Sequence, residues 1–271
     1  MSSMSLHPVM FHSLWNYRGF VFGAVKREFQ TRYAGALLDA VWAVLNPLAM
    51  IVVFTLIFSQ VMGSRLPNNQ GGAFGYSVFL CSALLPWNWF AELLGRLNTV
   101  FIDNGNLMKK ASFPRICLPV IVVLSTAIHF AITFALFLIF LVFTGNLPGL
   151  PLLAFPFVLA VHIALAVGLG LLLGTLNVFF RDVGQLTGVL LQFWFWLTPI
   201  VYAPSVLPEA VRNLIWINPV MPLTDAYHAI FSTHAFPSWS GLIYPTLLAL
   251  VLLGLGGLAF LRLSGEIIDE L

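Results

Sequence analysis

The sequence predicts an all-α integral membrane protein: six transmembrane helices, an N-terminal amphipathic interfacial helix, short outer re-entrant helices, and both termini cytoplasmic. Three observations predict it. Of 271 residues, 60% are hydrophobic and 8% charged, with a mean hydropathy of +0.96; a soluble domain carries about 25% charged residues, so this chain could not cover a water-facing surface. The charges are also spaced so that several runs between them reach the roughly 20 apolar residues that cross a bilayer. And the basic residues gather on one side of those runs. The composition excludes a disordered chain and an ordinary cytosolic enzyme. Cys81 and Cys117 lie in or beside apolar segments and imply no disulfide framework. No short apolar run with a small-residue cleavage site opens the chain, so no cleaved signal peptide is expected.

Taken in order, residues 13–33 place Leu14, Trp15, Val21, Phe22, Val25 and Phe29 on one arc at 100° per residue, with Asn16, Lys26, Arg27 and Gln30 opposite. Such a helix lies along a membrane surface, with Arg18 and Arg32 snorkelling from the apolar arc; a solvated leader is the other reading. Ala40–Ser64 is 25 residues without a charge and forms the first span; Gly71–Ala91, 21 uncharged residues, forms the second. The loop Arg96–Arg115 follows. Its core, Asn106 to Ser112, suits a short helix capped by Asn106 and stopped before Pro114. Ile116–Phe180 is 65 uncharged residues, about 97 Å of helix, and Thr144-Gly145-Asn146-Leu147-Pro148-Gly149 splits it into a hairpin of two spans. Val183–Tyr202 is the fifth span and Gly241–Leu261 the sixth.

Between the last two lies 203–240, with prolines at 204, 208, 219, 222 and 237. Pro208 with Glu209 opens one short helix, and Pro222 with Asp225 opens another running to about Phe231. Their apolar residues suit half-helices that dip back toward the membrane; a plain outer loop stays open as the alternative. Ten basic residues fall on the side of the termini and only Arg65 and Arg212 on the other, so the termini are placed in the cytoplasm. Residues 1–33 are thus a cytoplasmic segment with the interfacial helix, and 34–271 the six-helix domain.

Catalytic motifs are missing. No G-x-x-x-x-G-K-[ST] occurs, and none of the three lysines follows a glycine. Nor is there a G-x-S-x-G, an H-E-x-x-H or a Cys/His ligand spacing. The outer Glu209, Asp225, His228 and His234 form no recognised cluster, which weighs against a membrane-embedded lipid-carrier enzyme. Ion-coupled transport would need ionisable groups at mid-membrane; His129 and His162 alone lie there, at similar depth on successive helices. They could bond to each other across the hairpin as packing glue or serve a proton relay. The 39 aromatic residues suit interface belts, lipid-facing packing, or a passage lined with flat apolar faces on which sugar rings could slide.

Residues 18–62 resemble the N-terminal signature of the ABC-type polysaccharide exporter permeases, in Arg32-Tyr33, Trp42 and Asn46-Pro47. Further likenesses are NLMKKASFPRICLP (106–119), FFRD (179–182), WFWLTPIVY (194–202) and Asn218-Pro219. The chain departs from that pattern at Ala36 and Asp39, where Ser-x-Leu-Gly is common, and at His228, where an arginine is common. The resemblance implies a transport subunit, not an enzyme, that exports lipid-linked polysaccharide (O-antigen, capsule or teichoic acid) across the inner membrane; a small-molecule or drug permease and a non-transporting scaffold subunit are the alternatives.

It also implies roles. The loop 96–115 would couple to an ATPase through Asn106, Leu107, Met108, Lys109 and Lys110, with Arg181 and Asp182 in the next turn either facing the ATPase or closing that turn as an ion pair. Arg18, Lys26, Arg27, Arg32 and Asp39 would flank substrate access. Trp42, Trp87, Trp194 and Trp196 would line the path, and Trp216, Pro219, Tyr227 and His228 the outer gate within 203–240. The expected partners are a second copy of the chain, since six helices leave little room for a polymer, two ATP-binding cassette subunits, the lipid-linked polysaccharide and membrane lipids, with no nucleic acid. This chain would bind no cofactor or metal itself; ATP and Mg²⁺ would sit on the partner subunit.

Overall fold

The structure, a computed structural model, describes residues 15–33, 45, 48–49, 52–53, 74–109, 114–202, 204, 208 and 215–270. Most of the first span, with Asp39 and Trp42, lies outside these residues, as do Lys110, 209–214 of the first outer half-helix, and the side chain of Arg32. Among the described residues the elements are α1 (Arg18–Tyr33), α2 (Gly75–Asp103), α3 (Gly105–Met108), α4 (Cys117–Thr144), α5 (Phe155–Phe179), α6 (Asp182–Leu197), α7 (Val220–Phe231), α8 (Trp239–Leu263) and α9 (Glu266–Glu270), with a 3-10 turn at Leu150–Ala154 leading into α5. The described part is all-helical, and four helices are long and apolar enough to cross a membrane: α2, α4, α5 with its leading turn, and α8.

The hairpin forms where the sequence placed it. Gly145 closes α4 in the left-handed region at φ 71°, and Gly149 at φ 62° turns the chain into α5, conformations that only glycine adopts at little cost. The second span differs from expectation in running on to Asp103, because no proline separates Ala91 from that point and a single Gly95 costs only about 1 kcal/mol. The fifth is shorter than expected. Pro199 forces Thr198 into an extended conformation (φ −102°, ψ 129°), so α6 ends at Leu197 after 16 residues. At 1.5 Å per residue that is about 24 Å, short of the roughly 30 Å hydrocarbon thickness.

α2 is the centre of the bundle, buried along nearly its whole length against α4, α5, α6 and α7. The outer helices bury one face and expose apolar side chains on the other: Ile243, Leu247, Leu250, Val251 and Leu258 on α8, for example, are more than half exposed. That inversion of the soluble pattern fits a lipid solvent, in which helices associate through close packing rather than through the hydrophobic effect. Packing is closest between α5 and α8, where the α-carbons of Gly168 and Gly256 face the opposing backbone with no room for a methyl group. Gly174 lets α5 approach the Leu97 carbonyl of α2 in the same way.

Part of the aromatic content is spent inside the bundle. Trp89 stacks on Phe130 with centroids 4.3 Å apart, and Phe134 on Phe155, also at 4.3 Å. Phe231 of α7 meets Phe134, Phe137 and Phe155 edge-on. Offset and edge-to-face pairs add about 1 kcal/mol each beyond their contact area. This cluster ties α7 to the hairpin end of the bundle, while α1, α3, the 180–181 turn and α9 gather at the opposite end.

Candidate functional site

At the end that carries α1 and α3, the interfacial helix packs onto the start of α4. Val21 and Val25, four residues apart, are buried against Cys117, with Tyr17, Val120 and Ile121 around them. The apolar arc expected from the sequence therefore divides. Val21, Val25 and half-buried Phe29 face the protein, while Trp15 and Phe22 are each 67% exposed, because one side of the helix meets α4 and the other is open. Of the access cations, Arg18 is occupied locally: its guanidinium lies 4.8 Å over the Trp15 ring and donates to the Trp15 carbonyl. Lys26 and Arg27 are exposed. Arg96 of α2, read from sequence only as one of the ten basic residues, is the cation that the fold carries into the junction. It donates to the Glu28 carboxylate of α1, and both side chains line a groove with Val25, Phe29, Ser125, Ile128 and His129.

The loop helix is a correction to the sequence reading. It is the four-residue α3, starting at Gly105 with Asn104, not Asn106, at the capping position. The Asn104 amide turns back to the Val100 carbonyl of α2, so no side chain caps α3. Met108 is fully buried, Leu107 half-buried, and Asn106 and Lys109 are exposed. Asn106 and Lys109 share a polar groove with Asp103, Arg181 and Glu270. Arg181 and Asp182 make no ion pair with each other. Asn177 holds their turn instead: its oxygen accepts from Gly184 N–H at 2.9 Å, and its amide donates to the Asn98 carbonyl of α2, also at 2.9 Å. At the loop's far end Arg115 donates to the Ser264 carbonyl at 2.7 Å, while Ile267 of α9 is fully buried in the core.

At the opposite end, Asn218 is the hub. Its oxygen accepts from the Trp194 indole N–H at 2.7 Å and from Val220 N–H at 3.0 Å, and its amide donates to the Thr198 hydroxyl at 2.8 Å. This fastens the start of α7 to the end of α6. The second outer half-helix thus begins at Val220, right after Pro219, rather than at Pro222. Tyr227 is fully buried and meets His162 Nδ1 at 3.1 Å. That replaces the expected bond between His129 and His162, since His129 instead lines the groove beside Arg96. His228 is buried and stacked on Phe79 with centroids 3.7 Å apart. Burial pushes its imidazole down to about 3, against a hydrogen bond that the ring donates to the Phe79 backbone, so it is neutral. Burial likewise pushes the nearby Asp225 carboxyl up to about 6.

Of the gate residues, then, Tyr227 and His228 face the core, Pro219 is half-buried, and Trp216 is exposed. Of the path tryptophans, Trp87 is buried, Trp194 lies edge-on to it at 6.2 Å, and Trp196 is 61% exposed. Trp196 belongs to a stripe on α6, with Leu186, Val189, Leu190 and Phe193, each more than half exposed. Their spacing of three and four residues makes one continuous apolar face. Sequence reasoning missed Glu28, Arg96 and Asn177 as bridging residues. For Arg96 one signal was available: a cation one turn after a Glu, in an otherwise apolar helix. For Glu28 and Asn177 there was none.

Residues 21–232, more than three quarters of the chain, match the family of ABC-2 type transporter membrane proteins. The chain is similar to the O-antigen export system permease protein RfbA of Myxococcus xanthus, 32% identical over 242 residues that cover 89% of this chain and 90% of that protein. A Klebsiella pneumoniae RfbA is 29% identical over 231 residues, covering 84% and 86%. The polysialic acid transport protein KpsM of Escherichia coli is 22% identical over 200 residues, covering 73% and 76%.

Proposed function

The chain belongs to the ABC-2 type transporter membrane family, and on that premise we propose that it is the permease subunit of an ATP-driven exporter of lipid-linked polysaccharide, O-antigen before capsule or teichoic acid. The observation that carries this reading is the likeness to O-antigen export permeases over 84–89% of this chain, and the family match over residues 21–232 takes in most of the interfacial helix and α7. The chain has no nucleotide-binding motif, so ATP is hydrolysed on a separate subunit and reaches this chain as mechanical work. The short α3 at the end of the long, rigid α2 is suited to receive it: a push on exposed Asn106 and Lys109 passes through buried Met108 into the central helix of the bundle. Asn177 joins the 180–181 turn to the same helix, so both loops would move with α2.

Within one chain the described helices pack against each other with their aromatics stacked, which supports a path between two copies rather than through one. The exposed apolar stripe of α6, ending in Phe193 and Trp196, supplies flat faces suited to sugar rings. Because Asn218 fastens α7 to the end of α6, a shift of α6 would carry the outer gate segment with it. The exporter would sit in the bacterial inner membrane with α1, α3 and α9 on the cytoplasmic side.

The test is deletion of this chain in its source organism, followed by fractionation of lipid-linked polysaccharide. Polymer accumulating on the cytoplasmic face and lost from the cell surface is the expected result. Normal surface polysaccharide, in a strain with no second exporter, would move the cargo to a small molecule.

A further inference from the structure

Among the described residues, Glu28 and Arg96 form an ion pair between the interfacial helix and the central helix of the bundle, and the place where they meet has the chemistry of a lipid headgroup site. Arg96 lies seven residues before the end of α2, about 10 Å of helix. That is the depth at which an interfacial helix such as α1 sits at the boundary of headgroups and acyl chains. The guanidinium offers five donors in a planar fork that matches phosphate as well as carboxylate. Both side chains remain about a third exposed (31% and 32%), so the pair is reachable from the groove. Phe29 and Ile128 give that groove an apolar wall, and Phe22 stands exposed on the same helix, surfaces suited to an acyl or prenyl chain rather than to a free ion. Exposed Lys26 and Arg27 precede Glu28 on α1, and Glu92 stands one turn before Arg96 on α2, so three cations stand against two carboxylates in this stretch, a balance that still favours an anion there.

We propose that the groove between α1, α2 and α4 is a headgroup site for a phosphate-bearing lipid, in which Arg96 holds the phosphate and Glu28 is the resident carboxylate that the phosphate displaces. Lys26 and Arg27, exposed on the helix, attract the headgroup; Arg96, inside the junction, retains it. Displacing Glu28 removes a polar tie between α1 and α2, so lipid binding loosens the interfacial helix at this point. The inference deepens the export reading, because the cargo of such an exporter is carried on a lipid, yet it can be tested without transport.

The complete complex, permease with its ATP-binding subunit, is placed in phosphatidylcholine nanodiscs and titrated with a fluorescent long-chain polyprenyl phosphate. Arg96→Gln should lower affinity at least about ten-fold, the worth of a charge-assisted hydrogen bond, and Glu28→Gln should raise it. The double variant Glu28→Gln with Arg96→Gln leaves neither charge unpaired and so controls for folding. That variant should assemble like the unaltered complex and bind as weakly as Arg96→Gln alone. Full binding in the double variant, or unchanged affinity in Arg96→Gln, would overturn the site. Inorganic phosphate that competes as well as the lipid would overturn its assignment to a lipid. Competition by phosphatidylglycerol equal to that of the polyprenyl phosphate supports a site for bulk anionic lipid, and weaker competition supports one for the carrier of the cargo. The two proposals fail separately: intact surface polysaccharide in the deletion strain sinks the export reading while an Arg96-dependent lipid site stands, and an exporter whose lipid binding ignores Arg96 sinks only this inference.

Discussion

Replacing Gly256 by alanine places a methyl carbon 2.4 Å from the Gly168 carbonyl oxygen and 3.2 Å from the Leu171 β-carbon. The first of these is backbone, held in the α5 ladder, so no rotamer change can relieve it. α5 and α8 must separate by about 1 Å to restore ordinary contact, loosening the most extensive helix pair in the bundle. An overpacked core position costs about 1–3 kcal/mol, and a rigid opponent puts this one at the upper end. The better helix propensity of alanine returns about 1 kcal/mol, leaving a net loss of about 2 kcal/mol, or roughly a thirty-fold fall in the ratio of folded to unfolded protein. Gly254 and Gly257, on the same helix, have nothing within 4 Å of a built β-carbon, so alanine there should be neutral or stabilising. The assay is the folded fraction against SDS in mixed micelles for Gly254→Ala, Gly256→Ala and Gly168→Ala. Gly168→Ala strikes the Leu253 nitrogen at 2.5 Å and is relieved by the same separation, so the double variant should cost less than the sum. If Gly256→Ala proves as stable as Gly254→Ala, the close approach of α5 and α8 is wrong.

Asn218→Ala strands the Trp194 indole and Val220 N–H donors and should cost about 1–3 kcal/mol, read as a lowered unfolding midpoint; Trp194→Phe should cost less, and in the double variant the two losses should overlap. Asp225 titrates near 6 when folded against 3.8 for the free side chain, so the unfolded chain sheds its proton first and stability falls as pH rises between those values. Asp225→Asn should therefore stabilise the protein at pH 7, on the order of 2 kcal/mol, with the difference gone below about pH 4; an equal gain at both pH values would contradict the burial argument. Lys109→Glu, at an exposed site on the α3 loop, should leave the unfolding curve unchanged while reducing the ATP-binding subunit that co-purifies with the permease.

Several features were legible in the residues because they depend on one-dimensional quantities. A charge-free run of sufficient length has to be helical and has to leave water, since an unpaired backbone is costly in hydrocarbon, and so α4, α5 and α8 stand where the runs predict. Gly145 and Gly149 broke the longest run for a local reason, their backbone conformation. Pro199 is equally local and equally readable, and it ends the fifth span at Leu197. The interfacial helix was legible as amphipathic, though which of its apolar residues would meet protein was not.

The sequence by itself determined the solvent of this protein, the hairpin and the elements at each end of the bundle, because hydropathy, turn chemistry and charge act along the chain. Tertiary structure alone decided which way each helix is rotated, because that depends on the fit between faces brought together from far apart. His162 and Tyr227 are 65 residues apart, and Glu28 and Arg96 are 68; nothing local to either partner selects the other. The same holds for the tryptophans. Their composition suggested a lined path, but packing turned Trp87 inward, tied Trp194 to Asn218 and left Trp196 exposed, since a ring facing another helix gains dispersion and quadrupole contacts that its own sequence neighbours cannot provide.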